Sequence, residues 1–408
     1  MRICCKELLM AFVIMLGSNT MGTVGIYPSP TAKAIQAHHH LSETSFEWSF
    51  YNSVAFLFAI MGPFFTKFLL NRFGGKRRHT IFIIDVISTI SWLLNCTTKL
   101  NIWAGIVSRG LLGISMGAFS SISPMYLIEI SPPDASGFFG SLNQIGIVIG
   151  QCFFSLIGKF VDYMGLNFIG AAISFLQSIL IWFIIESPSV KIPESSNSKI
   201  NSSHESLFQK KYLNGIIIGV ALMFFQQFSG INGILTNLSS IMTTAGLDLD
   251  PNYQSAISIL SQLIAVFIGS LLIDKLGRKT VWILSSAIST VSLLVMALNE
   301  KFNWSSVLPL VCIFSYQLGF GLGLGPIPWF LIPEYFADDI RPAATMVCTI
   351  SNWIFAFIIV MCFPEMKAKM EMFGVTLLFM VVCAVSTIFG AFKITEPERN
   401  NDGFELIQ

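Results

Sequence analysis

Twelve long apolar stretches, ten of them free of any charged residue, leave few folds open to this chain. A helix needs about 20 apolar residues to cross roughly 30 Å of hydrocarbon. Leu8–Ala32, Trp48–Thr66, Phe138–Gly158, Tyr163–Ile185, Tyr212–Leu247, Pro251–Ile273, Thr280–Asn299, Phe302–Pro333, Pro342–Pro364 and Met372–Phe392 meet or nearly meet that length. Thr80–Thr98 and Leu100–Ile128 do so with one charge each, Asp85 and Arg109. Water is absent at that depth, so a spanning backbone must satisfy its own hydrogen bonds, and runs of this length do so as helices. The prediction is an all-α membrane protein with twelve transmembrane helices. Composition agrees, because 12% charged residues is half the roughly 25% of soluble domains. A net charge of +1 offers no basic face to nucleic acid.

The first run exceeds the apolar core of about 7–15 residues found in cleaved signals, so it is read as a helix that stays in place. Sixteen Lys and Arg fall in loops on the side of the N-terminus against six on the other. The positive-inside bias therefore puts both termini in the cytoplasm. Residues 186–211 are the longest polar stretch and divide six spans from six. The chain then reads as a bundle over 1–185, a cytoplasmic linker over 186–211, a second bundle over 212–393 and a tail over 394–408.

The halves repeat each other. Asn71-Arg72-Phe73-Gly74-Gly75-Lys76 follows the second span, and Asp274-Lys275-Leu276-Gly277-Arg278-Lys279 follows the eighth. Pro124-Met125-Tyr126-Leu127-Ile128-Glu129 ends the fourth span, and Pro328-Trp329-Phe330-Leu331-Ile332-Pro333-Glu334 ends the tenth. Duplicated six-helix units are how many secondary transporters are built, with the solute between the repeats near the midplane. The loop cations suit either simple positive-inside anchoring or a latch of ion pairs between bundles; matching cations in both halves favour the latch.

Within the spans, polar groups are few and therefore informative. Arg109 is a charge within a spanning segment, where such residues face protein or water, or snorkel to an interface. Asp85 lies near the inner end of the third span, which suits an interfacial or capping role. The seventh span contains Gln226-Gln227-Phe228-Ser229-Gly230-Ile231-Asn232-Gly233. Neutral amides donate and accept at once, which suits either sugar hydroxyls or bonds between helices. The tenth contains Gly319-Phe320-Gly321-Leu322-Gly323-Leu324-Gly325-Pro326-Ile327-Pro328-Trp329. No strand precedes it and no Lys follows, so it fails as a phosphate loop; its glycines and prolines predict an unwound segment beside a cavity. Trp329 can stack on a sugar ring, pack, or sit at an interface. His38-His39-His40 splay apart too much to make a metal site the better reading. The eight cysteines lack metal spacing and no catalytic set is visible, so neither an enzyme nor a cofactor is expected. Asn303-Trp304-Ser305 is a glycosylation sequon.

Over nearly its whole length the chain resembles the sugar porters of the major facilitator superfamily, including the facilitative glucose transporters. The resemblance rests on Asn71-Arg72-Phe73-Gly74, Arg109-Gly110 with Pro124–Glu129, Gln144-Ile145-Gly146-Ile147-Val148-Ile149-Gly150, Glu186-Ser187-Pro188, Gln226–Asn232, and Gly325–Phe330 with Glu334 and Arg341-Pro342. Tyr27-Pro28-Ser29-Pro30 is similar to the branch related to trehalose transporters. The resemblance implies two pseudo-symmetric six-helix bundles around a central cavity. It implies sugar ligands at Gln144, Gln226, Gln227, Asn232, Trp329 and Asn352, with Gln262 standing where the family usually has Asn. It also implies a gating salt-bridge network, which takes in Arg72, Arg109, Glu129, Glu186, Asp274, Arg278, Glu334 and Arg341. Ser136 and Ser189 replace two gate arginines, Thr236-Asn237 replace a tandem Tyr, and Gly321 and Ala356 replace a family Glu and Asn. These departures weaken the latch and put the outer gate and the preferred sugar in doubt.

The resulting expectation is transport of a sugar, a hexose such as glucose, by alternating access and facilitated diffusion. Proton-coupled relatives place an Asp in the first span, and Leu8–Ala32 contains no carboxylate. Proton symport, with Asp85 as the residue to test, and a non-transporting sugar sensor are the alternatives. The expected partners are a small-molecule sugar and the lipid bilayer, with no obligate protein partner evident. The plasma membrane is the expected address. Asp402-Gly403-Phe404-Glu405-Leu406-Ile407 has the pattern of an endosomal sorting signal.

Overall fold

The computed structural model describes residues 5–132, 136–183, 210–336, 340–395, 398–400 and 403–405. Glu186, Ser189, nearly all of the 186–211 linker and the Leu406-Ile407 pair lie outside the described residues. The side chains of Ser136 and Asp274 do too.

The described fold is almost entirely helical. The first half holds α1 (Cys5–Ile26), α2 (Pro28–His39), α3 (Phe46–Ala59), α4 (Gly62–Arg72), α5 (Arg77–Asn95), α6 (Ile102–Glu129), α7 (Ser136–Ile157) and α8 (Tyr163–Leu180). The second half holds α9 (Lys210–Phe228), α10 (Ile231–Thr236), α11 (Leu238–Ala245), α12 (Pro251–Leu276), α13 (Arg278–Phe302), α14 (Leu308–Gly319), α15 (Ile327–Glu334) and α16 (Arg341–Lys393). A two-strand antiparallel turn, Glu398–Asn400 with Gly403–Glu405, lies in the tail.

Eleven candidate spans are present among the described residues, because several helices continue one another across a kink. The last, Arg341–Lys393, has 53 residues and would be about 80 Å long if straight, far beyond a bilayer core. It is not straight. Glu371 has a φ of 58°, and the rings of Phe363 and Phe379 stack with centroids 6.4 Å apart. Sixteen residues of straight helix would hold them about 24 Å apart. The helix therefore folds back as two arms, 341–370 and 372–393.

Close helix contacts rest on small residues. Gly113 and Gly117 of α6 meet the backbone of α3, where an added Cβ would come 2.2 Å from the Ala55 carbonyl oxygen and 2.0 Å from that of Ala59. This is the small-residue spacing by which membrane helices approach. The halves meet where α7 packs on α12 and α3 on α16. At the second seam the Trp353 Nε1 donates to Ser120 Oγ at 3.3 Å.

Three helix breaks position the functional groups, and in two of them a missing backbone donor is replaced by a side chain. Pro28 cannot donate to Val24, four residues back. Arg109 Nη1 takes that carbonyl instead at 2.8 Å, with longer bonds to the Tyr51 and Asn52 carbonyls and the rings of Tyr27 and Tyr51 each 5.6 Å away. The expectation of a gating ion pair at Arg109 is thereby corrected: its described partners are carbonyls and rings. Another break is at Gly230, whose φ of 94° separates α9 from α10 and is open mainly to glycine, and the remaining one is at Phe320–Leu324 in the tenth span.

Candidate solute-binding site

The tenth span unwinds as its sequence predicts. Phe320–Leu324 forms a π turn, closed by the Gly325 N–H to the Phe320 carbonyl at 2.9 Å. Pro328 cannot serve the Leu324 carbonyl, and the Trp329 N–H bonds Pro326 rather than Gly325. Gln226 Nε2 fills both gaps, donating to Leu324 at 3.1 Å and Gly325 at 2.7 Å. One amide of the seventh span thus holds the tenth in its bent form.

Its neighbours carry the polar chain onward. Asn232 Nδ2 donates to Gln227 Oε1 at 2.6 Å, and Gln227 Nε2 donates to Asn352 Oδ1 at 2.8 Å. These groups line a cavity of about 80 Å³ with Gln144, Gln262 and Trp329, so all seven side chains singled out as ligands meet at one place. A water needs about 10–15 Å³ of such volume, so the cavity has room for several. Phe56, Phe320 and Trp353 supply apolar wall. No lining residue carries a charge. An ionic solute would lose its hydration there without a counter-charge, whereas a neutral hydroxylated one would find amide donors and acceptors.

Sequence reasoning missed Gln151, which also lines the cavity. It lies seven residues beyond Gln144, two turns along the same helix face, and that spacing was the available signal. Gln151 Oε1 and Gln262 Oε1 are buried without a partner, so both remain open to a hydroxyl donor.

The predicted gate residues divide. At the end of the molecule where α1 begins, here termed the basic end, Arg278 grips Glu334 through Nη2 at 2.9 Å and Nε at 3.2 Å. Arg341 Nε bonds the Pro333 and Phe336 carbonyls. Glu129 is gripped by Arg77, with Nη2 at 2.6 Å and Nε at 2.9 Å, and not by Arg72, which is exposed. The correction has a local cause. Gly74 and Gly75 adopt positive φ, and the reversal they allow delivers the start of α5, rather than the end of α4, to Glu129. Both ion pairs join residues of one half.

The opposite end carries contacts between the halves. Glu43 Oε2 accepts from Lys367 Nζ at 2.9 Å, and its Oε1 accepts from Ser240 at 3.0 Å. Lys159 Nζ donates to Asp250 Oδ2 at 2.6 Å. Ser29 Oγ donates to Ser239 Oγ at 3.1 Å. This clasp sits beside Thr236-Asn237. Partial burial would raise the Glu43 carboxyl, but the hydrogen bond and charge of Lys367, with Ser240, outweigh it and hold it below the ordinary glutamate range. The Lys159 hydrogen bond likewise holds Asp250 below the usual aspartate range.

One further expectation changes. Asp85 is fully buried and its carboxyl oxygens have no hydrogen-bond partner, so it does not cap a helix. His38 and His39 are occupied by the Lys99 and Thr98 carbonyls, at 2.9 and 2.6 Å.

A model of the family described as sugar (and other) transporter matches residues 8–190 and 189–408. The chain belongs to this family. It is a multi-pass membrane transporter and not an enzyme. It is 29% identical to a protein of Bombyx mori named facilitated trehalose transporter Tret1, over 98% of this chain and 86% of that one. It is 31% identical to a Drosophila simulans protein named facilitated trehalose transporter Tret1-2 homolog, over 99% and 90%. Its fold matches the crystal structure of a D-xylose-proton symporter with a TM-score of 0.82 and 22% identity, covering 96% of this chain and 98% of that one.

Proposed function

We propose that this sugar transporter carries a neutral sugar of hexose or trehalose type by alternating access and without ion coupling. The observation that carries the reading is the convergence of uncharged amides from both halves on one charge-free cavity. The solute lodges between Gln144 and Gln151 of α7 and the Gln226–Gln227–Asn232–Asn352 chain of the second half. Because Gln226 holds the unwound backbone of the tenth span, a ligand that competes for the amide chain acts directly on a bendable segment. Identity to two proteins named as facilitated trehalose transporters supports trehalose beside the hexose that the sequence suggests. Uniport is supported by the surroundings of Arg109, where helix 1 offers the Val24 carbonyl instead of a carboxylate that takes up and releases a proton. The basic end is assigned to the cytoplasm by its excess of Lys and Arg, in the plasma membrane. The clasp then closes the outer side.

The test is radiolabelled counterflow in proteoliposomes with glucose and trehalose in parallel. Exchange of at least one sugar, unaffected by a protonophore, is expected. Binding without exchange would mark a sensor, and collapse of uphill uptake by the protonophore would mark a symporter; either overturns the proposal.

A further inference from the structure

Helices α5 and α8 run antiparallel in a fixed register. Asn95 Nδ2 donates to Asn167 Oδ1 at 2.9 Å. One heptad along, the Ser88 and Ser174 hydroxyls bond at 2.9 Å. Between them the Trp92 indole covers Gly170, where an added Cβ would come 2.6 Å from the ring. Each step along α5 is answered by an equal step back along α8. Three residues before Ser88 is Asp85, and three after Ser174 is Gln177, so the register sets these two side chains opposite each other. Both are fully buried.

The pair contains too many acceptors. Asp85 Oδ1, Asp85 Oδ2 and Gln177 Oε1 all lack a hydrogen-bond partner. Gln177 cannot turn its amide to help, because its Nε2 donates to the Val13 carbonyl of α1 at 2.9 Å, and a carbonyl only accepts. Among the described residues no cation is bonded to these oxygens. α8 carries no Asp, Glu, Lys or Arg. On α6, Arg109 is engaged with backbone carbonyls and Glu129 with Arg77. Tyr126 of α6, Lys67 and Arg72 of α4, Arg77, Arg78 and His79 in the first turn of α5, and Lys6 and Glu7 of α1 are the other charged or titratable groups on the neighbouring elements toward the basic end. None is bonded to Asp85. An ionised carboxylate in this place would face a second acceptor with no donor and no counter-charge, which burial at membrane depth penalises heavily.

We infer that Asp85 is a resident proton-binding site whose carboxylic acid O–H donates to Gln177 Oε1. The bonds from Asp85 through Gln177 to Val13 tie that proton to α1, and α1 lines the cavity two and three turns further on with Met21 and Gly25. Asp85 itself does not line the cavity. The proton is therefore held outside the path of the solute, and its loss perturbs the cavity wall through α1 instead of accompanying the sugar. This last consequence, but not the proton itself, rests on the transport reading.

Difference infrared spectroscopy of the purified protein tests the proton directly. A carbonyl stretch of a protonated carboxylic acid is expected at neutral pH and is expected to be lost in Asp85→Asn; its absence from the natural protein, or its persistence in Asp85→Asn, overturns the assignment. Asp85→Asn retains a donor for Gln177 and is expected to fold and to exchange sugar. Its counterflow should be flat from neutral to alkaline pH, where that of the natural protein falls severalfold. An unchanged pH profile in Asp85→Asn overturns the link to α1. Failure of every sugar to exchange at any pH would instead count against the transport reading and leave the infrared result to stand.

Discussion

Removing one charge from the clasp should open the molecule on that side by an amount that follows from its geometry. Glu43 and Lys367 join a loop of the first half to an arm of the second at 2.9 Å, with the side chains 53% and 25% exposed. Pairs this exposed contribute about 0.2–1 kcal/mol. Lys367→Gln should therefore shift the open-to-closed ratio toward open by a factor of about 1.4 to about 5, since about 1.4 kcal/mol is a factor of ten. Lys367→Glu adds repulsion and should shift it further. Exchanging the charges, Glu43→Lys with Lys367→Glu, should restore much of the closure. Pulsed-EPR distances between spin labels at exposed Thr44 and Ala368, in a background without other cysteines, read the populations directly in nanodiscs. The pH dependence has a defined sign. Because Glu43 is held below the ordinary glutamate range, its contribution is complete at neutral pH and is lost only as the pH falls through the acid range below that. Closure that is insensitive to Lys367→Gln, or a charge exchange that opens the molecule more than the single reversal, would refute the electrostatic clasp.

Gln227→Ala breaks bonds to both Asn232 and Asn352 and should reduce counterflow more than tenfold, with normal folding by size-exclusion chromatography. Gln226→Leu strands two buried carbonyls, which costs about 1–3 kcal/mol each, and should lower the melting temperature in detergent as well as transport. Gly117→Leu drives a side chain into the Ala59 carbonyl; overpacking of this kind costs about 1–3 kcal/mol or more, and little monodisperse protein should be recovered.

The membrane-spanning character, the helical class and the repeat were legible in the sequence, because hydrocarbon imposes length and apolarity on every segment that crosses it. Of the seven cavity side chains, Gln226, Gln227 and Asn232 were legible because a polar amide in such a segment is costly unless something wet or hydrogen-bonding faces it, and Trp329 because it adjoins the predicted break; Gln144, Gln262 and Asn352 came from the resemblance to sugar porters. Gln151 was legible in principle through its spacing from Gln144. Other features depended on directions that spacing alone does not carry. That Arg77 rather than Arg72 reaches Glu129 follows from how two positive-φ glycines turn the chain. That Arg109 serves the Val24 carbonyl, and Gln226 those of Leu324 and Gly325, depends on which helix lies next to each proline break. The clasp joins residues more than two hundred positions apart in one pair, Ser29 with Ser239, and nearly a hundred apart in another, Lys159 with Asp250. Composition therefore determined where the chain runs, whereas only the tertiary packing decided which orphaned backbone group or charge each polar side chain answers, because that is a matter of facing surfaces and not of sequence distance.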